Sequence, residues 1–233
     1  MNITENQFIT FLPENETNTI NDLAELRKKK EIEKCFKIIE ELKNDTNFSK
    51  KGKSCLLYLE YCIYIEKGQL EEAIKSIIKA LNYNPTFELF QKGYTRALSI
   101  LRKNNGFLAC KDYIQDSFLY TFFGSSKYIL EFLTMKIKFE EGNFMEAYDF
   151  SERSIITFQK LSENEKKEIM DNIELLKDYA FYDYIKFSYQ NYKNLLNSNK
   201  LNDANSFYSN VLNKLIDDDI KNLWILNCQK LKN

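Results

Sequence analysis

The stretch YIEKGQLEEAIKSIIKALNYNPTF, residues 64–87, restricts the fold more than any other part of the chain. One apolar helical pattern closes on Ile63 and Ile65. Gly68 follows, a residue suited to the left-handed conformation that ends a helix. A second pattern opens at once: Leu70, Ala73, Ile74, Ile77, Ile78 and Leu81 recur at the i, i+3, i+4, i+7 spacing of an amphipathic helix. Pro85 stops it, because proline has no backbone N–H and pushes its neighbour out of the α region. The spacing predicts a helix–turn–helix unit.

The unit recurs. With Ala73 as anchor, Cys35 lies 38 residues earlier, Cys110 lies 37 later and Ala147 another 37 later. Ala204 follows after 57, as though about 20 residues were inserted. Three positions before these anchors stand Ile32, Leu70, Phe107, Phe144 and Leu201, all apolar. Four positions after stand Ile39, Ile77, Ile114, Ser151 and Tyr208. Five positions before stand Lys30, Gly68, Asn105, Gly142 and Asn199, four of which are the types that tolerate a positive φ. A tight turn and a close helix–helix contact would each demand such a column.

On these residues, Ser54 to Pro85 resembles a tetratricopeptide repeat: Gly68, Leu70, Ala73, Ile77, Ala80 and Pro85 fall at its turn, packing and stop positions. The units around Cys110 and Ala147 resemble it less closely, and those around Cys35 and Ala204 faintly. The period exceeds the family's usual length of about 34 residues. Tyr61 also stands where the family prefers a small residue. Related hairpin families, SNAP-like or the helical part of PCI-type subunits, stay open. The resemblance implies an all-α fold, an α-solenoid of stacked antiparallel helical hairpins wound as a TPR-like right-handed superhelix. In such an array each hairpin leaves an apolar face that only its neighbours bury.

Residues 1–19 carry no helical period and read as a flexible or extended arm, with Phe8, Ile9, Phe11 and Leu12 as a short segment able to dock. The first hairpin is expected at about 21–44, with Asn21 or Asp22 near its N-cap, followed by a polar linker over 44–53. Helices are then expected at about 54–67, 69–82, 86–103, 106–121, 126–141 and 143–160. Ser162 and Glu165 have the spacing of a capping box opening a long helical stretch over 163–197, which contains the insertion near 161–180. Two helices at about 201–215 and 217–231 finish the chain, the last capping the array. No Pro-, Gly- or Ser-rich linker divides residues 20–233, so one continuous domain is expected.

Composition narrows the chemistry. The chain contains no histidine, which excludes Ser-His-Asp and Cys-His catalysis and histidine-bearing zinc sites. Its five cysteines form no CxxC pair, and no GxGxxG or GxxxxGK[ST] loop is present. Carboxylate pairs such as Glu71 and Glu72 read as solvated helix starts. A non-enzyme without metal or cofactor is the expectation. Lys and Arg number 33 against 34 Asp and Glu, so no bulk basic surface exists for nucleic acid. No run approaches a membrane span and the first residues do not read as a secretory signal. Scattered thiols point to a reducing compartment, cytoplasm or nucleus.

The resemblance places a concave groove on the first helix of each hairpin. Its positions map to Tyr58, Cys62 and Ile65, to Thr95, Ser99 and Arg102, and to Phe132, Lys136 and Phe139. Such a trough suits a peptide with a few hydrophobic anchors. The Lys/Asn/Arg clamp of chaperone-binding relatives is not matched, because Tyr58 and Cys62 occupy its place. Basic clusters at Arg27–Lys30, with Lys50, Lys51 and Lys53, and at Arg96, Arg102 and Lys103 are further candidates for an acidic partner, RNA or lipid. The expected function is a non-catalytic adaptor or scaffold holding a partner peptide or helix, as a subunit of a larger complex. The alternative is a helical-repeat RNA-binding protein.

Overall fold

The computed structural model describes residues 12–172, 176–215 and 218–232, and among them every regular element is a helix. The chain groups into two compact units, Met1–Phe122 and Phe123–Asn233, a division that no linker composition announces.

The first unit holds α1 (Glu14–Lys28), α2 (Ile32–Asn44), α3 (Lys50–Glu66), α4 (Leu70–Tyr83) and α5 (Glu88–Asn105), then a 3-10 helix (Leu108–Tyr113) and α6 (Asp116–Thr121). The second holds α7 (Gly124–Glu140), α8 (Phe144–Lys160), α9 (Glu163–Asn172), α10 (Leu176–Asn197), α11 (Leu201–Lys214) and α12 (Asp218–Lys232). Helices consecutive in the chain pack on one another in both units, most extensively α3 on α4 and α7 on α8.

Four connections share one geometry. Lys30, Gly68, Gly142 and Asn199 have φ of +62°, +71°, +77° and +56°. Each of these residues donates its amide to the carbonyl three residues back. The next residue donates to the carbonyl five back: Glu31 to Leu26, Gln69 to Tyr64, Asn143 to Lys138 and Lys200 to Leu195. This paired bonding satisfies the carbonyls that a helix end leaves open. The following helix then starts with the anchor amide on that same residue's carbonyl, Cys35 on Glu31, Ala73 on Gln69, Ala147 on Asn143 and Ala204 on Lys200. All five anchors, Cys110 included, are fully buried. Where the anchor is cysteine, its thiol donates to a carbonyl twelve residues earlier: Cys35 to Leu23 at 3.5 Å and Cys110 to Leu98 at 3.4 Å.

The connection before Cys110 departs from the other four. The left-handed residue is Gly106, not Asn105, and its ψ of 177° sends the chain out extended. The Cys110 amide then reaches only to Phe107, a 3-10 bond. The single helix expected over 106–121 is therefore a 3-10 helix and a short α6, separated at Ile114, which is extended.

The arm expected over 1–19 ends sooner. Pro13 precedes α1, Glu14 and Glu16 sit in its first turn, and Ile20 and Leu23 are buried at i, i+3 spacing. Asn21 and Asp22 therefore lie inside the helix and cap nothing. Residues 1–11, with most of the proposed docking segment, lie outside the described residues. Buried Glu16 accepts hydrogen bonds from the Ser49 amide and hydroxyl, both at 2.6 Å, while Ser49 caps α3 by accepting from the Gly52 amide. Gly52 has no alternative, since a Cβ there would collide with Glu16 and the Phe48 ring.

α3 is the centre of the first unit, packed by α1, α2 and α4, and Ser54 through Ile63 are all buried. Glu60 is carried inside with two donors, Lys43 Nζ at 2.7 Å and the Ser76 hydroxyl at 2.7 Å. Gly93 of α5 lets its helix settle on this layer: a Cβ would stand 3.2 Å from the rings of both Tyr58 and Tyr61 and 3.3 Å from Ile77. The bulk of Tyr61 is thus received by a glycine on the neighbouring helix.

In the second unit α10, α11 and α12 bury Tyr184, Ile185, Tyr192, Ala204, Val211, Leu215, Trp224 and Cys228 in one cluster with Ile155 of α8. Trp224 is fully buried, stacks on Tyr208 at 5.9 Å and donates its Nε1–H to the Tyr208 carbonyl at 3.3 Å. Ser162 and Glu165 form the reciprocal box that their spacing predicts, opening α9: Glu165 accepts from the Ser162 amide at 2.9 Å and hydroxyl at 2.7 Å, while its own amide donates to the Ser162 hydroxyl at 3.3 Å. The helical stretch over 163–197 comprises α9 and α10, with residues 173–175 outside those described.

Candidate functional site

Six of the nine groove positions belong to the first unit and three to the second. Four of the nine, Tyr58, Cys62, Thr95 and Phe132, are buried, so their side chains pack and do not face a peptide. For Tyr58 and Cys62 the reason is the central place of α3, which α1, α2 and α4 cover; Thr95 lies on the packed face of α5 and Phe132 on that of α7. Tyr58 stacks on Phe90 at 5.5 Å, with Tyr61 also 5.5 Å away. Burial pushes its phenol well above the ordinary range, with the neighbouring Cys62 and Tyr61 adding to the effect. Thr95 turns its hydroxyl back to the Gln91 carbonyl at 3.0 Å.

The other five positions, Ile65, Ser99, Arg102, Lys136 and Phe139, keep part of their surface in solvent. Ser99 spends its hydroxyl on the Thr95 carbonyl at 2.8 Å. Arg102 lies with its guanidinium 5.3 Å from the centre of the Phe107 ring, a cation–π contact within one unit. The second unit brings two of the positions together. Lys136 and Phe139 line an open depression with Met135, Ala147 and Phe187. Phe139 meets Phe187 edge-on, centroids 5.8 Å apart, and Lys136 Nζ lies 5.9 Å from the centre of the Phe139 ring. The α7 residues come one helical turn apart, while Phe187 arrives from α10, across the insertion. No spacing rule marks Phe187 in the sequence.

The basic cluster at the end of α1 is largely spoken for. Arg27 faces Glu66 at 3.6 Å and Lys28 faces Glu25 at 2.8 Å, and both suit the negative end of the helix dipole. Lys30 is the left-handed turn residue. Among the five cysteines, all buried and unlinked, burial pushes the Cys55 thiol up to about 12 and the Cys110 thiol to about 11, so neither supplies a thiolate at neutral pH. Among the described residues no group of three His, Cys, Asp or Glu is placed to hold a metal ion, and no helix is long and apolar enough to cross a membrane.

No family model matches the chain, and no curated protein and no solved structure shows significant similarity to it.

Proposed function

We propose that the chain is a tetratricopeptide-like helical-repeat protein whose hairpins stack as an α-solenoid, and that it serves as a non-catalytic adaptor for a partner protein. The observation that supports this reading is the single turn geometry at Lys30, Gly68, Gly142 and Asn199, each followed by a fully buried small anchor. A chain that rebuilds one hairpin several times creates surface for contact, without converging reactive side chains. The contact surface in this reading is the depression of Met135, Lys136, Phe139, Ala147 and Phe187. An apolar side chain of a partner peptide or helix would lie against the partly exposed Phe139 ring, which the buried Met135, Ala147 and Phe187 support from beneath, with Lys136 beside it giving orientation. The buried thiols suit a reducing compartment such as the cytoplasm or nucleus.

The test is a tagged pull-down of the full chain from native lysate, with and without nuclease, read by mass spectrometry and repeated with Lys136→Glu and Phe139→Ala. The adaptor reading expects one set of proteins that survives nuclease and is depleted by both variants, while their helical circular dichroism equals the parent's. Retention unchanged in both variants removes the depression as the contact surface. Recovery that vanishes with nuclease replaces the adaptor with an RNA-binding repeat.

A further inference from the structure

Residues 89–111 form the longest stretch of the chain without an Asp or Glu, and they carry Lys92, Arg96, Arg102, Lys103 and Lys111. Most of this stretch is α5. Arginine is scarce in the sequence, which has Arg27, Arg96, Arg102 and Arg153 and otherwise uses lysine. Two of these four answer to a carboxylate of their own chain. Arg27 pairs with Glu66 at 3.6 Å, and burial raises the Glu131 carboxyl while Arg153 is among the groups that pull it back. The two on α5 have no such counterpart. Among the described residues no carboxylate pairs with Arg96, Arg102 or Lys103, whereas Lys92, earlier in the helix, meets Glu88 at 2.9 Å.

The three unpaired cations surround one small residue. Ser99 stands three residues from Arg96, three from Arg102 and four from Lys103, the spacings that make side chains neighbours on a helix. Arg96 and Lys103, seven residues apart, lie on one stripe about 10 Å along the axis, with Arg102 on the adjoining one. Arg96 and Lys103 are exposed and Arg102 and Ser99 are half-buried. The Ser99 hydroxyl is turned back to the Thr95 carbonyl at 2.8 Å, so the middle of the patch is short and uncharged.

Arg102 is held in place. Its guanidinium lies over the Phe107 ring, 5.3 Å from the ring centre, and its Nε is shut away from solvent with no hydrogen-bond partner. Burial raises the nearby Cys110 thiol, and the Arg102 charge is close enough to counter part of that rise. The two terminal nitrogens are not among the buried polar atoms, so the fork presents its end to solvent. The pull of a helix C-terminus on cations accounts for Arg102 and Lys103 in the last turn, but not for Arg96 in the middle of the helix.

We propose that this face of α5, with Arg96, Arg102 and Lys103 around Ser99, is a binding surface for an acidic peptide segment. Its carboxylates pair with the three cations, and Arg102 orients it by taking one carboxylate in two parallel hydrogen bonds. Carboxylates fit this face better than RNA does. The Phe107 ring is covered by Arg102 and offers no platform for a base, and a chain with 33 basic and 34 acidic residues has no excess charge to hold a polyanion. The surface belongs to the first unit and stands independently of the depression in the second.

The experiment titrates the full chain, at low ionic strength, into a fluorescein-labelled peptide of alternating Asp and Glu and reads fluorescence anisotropy. Arg96→Glu should weaken binding about tenfold, and Arg102→Lys, which keeps the charge and loses the fork, about threefold. Lys29→Glu, the same charge change at an exposed lysine of the same unit, should leave the affinity unchanged. Helical circular dichroism equal to the parent's is required of each variant. A parent that does not bind the peptide overturns the proposal. So does a Lys29→Glu variant that loses as much as Arg96→Glu, since the attraction is then to net charge and not to this face. Arg102→Lys binding as tightly as the parent overturns the orienting role of the fork. Tighter binding of a single-stranded oligouridine with the same number of charges, lost in the same variants, replaces the acidic peptide with RNA.

Discussion

Lys30 and Gly68 occupy the same position of the same turn with opposite chemistry, and exchanging their character tests the turn as a source of stability. At φ +62° and +71° a side chain brings Cβ close to its own following carbonyl, at a cost of about 1–2 kcal/mol. Nothing lies within 4 Å of where a Cβ would stand on Gly68, so this cost is purely local. Against it stands the extra freedom that glycine gives the unfolded chain, about 0.4–1 kcal/mol. The difference leaves a net effect of roughly 1 kcal/mol. Lys30→Gly should stabilise by that amount and Gly68→Ala should destabilise by the same amount. Both residues lie in the first unit, so both report on one transition. With a urea dependence of about 1–3 kcal/mol per molar, the midpoints should move by roughly 0.3–1 M in opposite directions at unchanged slope. Lys29→Gly is the control, because Lys29 has φ −74° and glycine there brings the entropy cost without relief. If Lys30→Gly lowers the midpoint as Lys29→Gly does, the left-handed residue carries no strain and the argument fails.

Two further outcomes follow from buried charge. Burial works against the ammonium of Lys43, but hydrogen bonds to Glu40 and Glu60 outweigh it and hold its pKa above the ordinary 10.5, while the Lys43 bond lowers Glu40. This stability is lost as pH falls through the depressed Glu40 value and again as it rises through the raised Lys43 value. Lys43→Met leaves Glu60 buried with only Ser76 as donor, and should cost about 2–3 kcal/mol in urea unfolding at neutral pH, after discounting for the partial exposure of Lys43. Glu131 behaves in the opposite sense. Burial raises it, while the Thr157 hydroxyl at 2.6 Å, Lys127 and Arg153 pull it back. A carboxyl with a raised folded pKa binds its proton more tightly when folded, so its contribution improves as pH falls through that value toward the ordinary 4.5. Glu131→Gln should raise the unfolding midpoint at neutral pH and flatten its rise on acidification; a variant that keeps the parent's pH profile would assign the dependence elsewhere.

The turns and anchors were legible because each asks for one residue type at one place. Gly68, Gly142 and Asn199 fall in a column because left-handed backbone selects them, and Ala73, Ala147 and Ala204 because a close crossing does. Lys30 follows the same backbone with no such preference, and only its position in the column reveals it. The break over 108–121 was hidden by a shift of one residue: Asn105 and Gly106 are both turn formers, and which one turns left decides whether the next helix is α or 3-10. The groove was the weakest reading. Periodicity says which residues of α3 face a partner helix, but not that partners arrive from three sides, so Tyr58 and Cys62 look identical to groove residues until α1 and α2 are in place. Lys136 and Phe139 come side by side through the register of α7, whereas Phe187, on the far side of the insertion, has no register to follow.

The meeting of Tyr61 with Gly93 carries a consequence for how this chain can change over generations. The two positions are 32 residues apart, yet they share one space, which one side chain fills and the other leaves. Bulk gained at 93 presses on 58, 61 and 77 alike, the first two at 3.2 Å and the third at 3.3 Å, so trimming Tyr61 alone leaves Tyr58 and Ile77 against the added Cβ. Descendants of this sequence that replace the glycine should therefore carry changes at more than one of positions 58, 61 and 77.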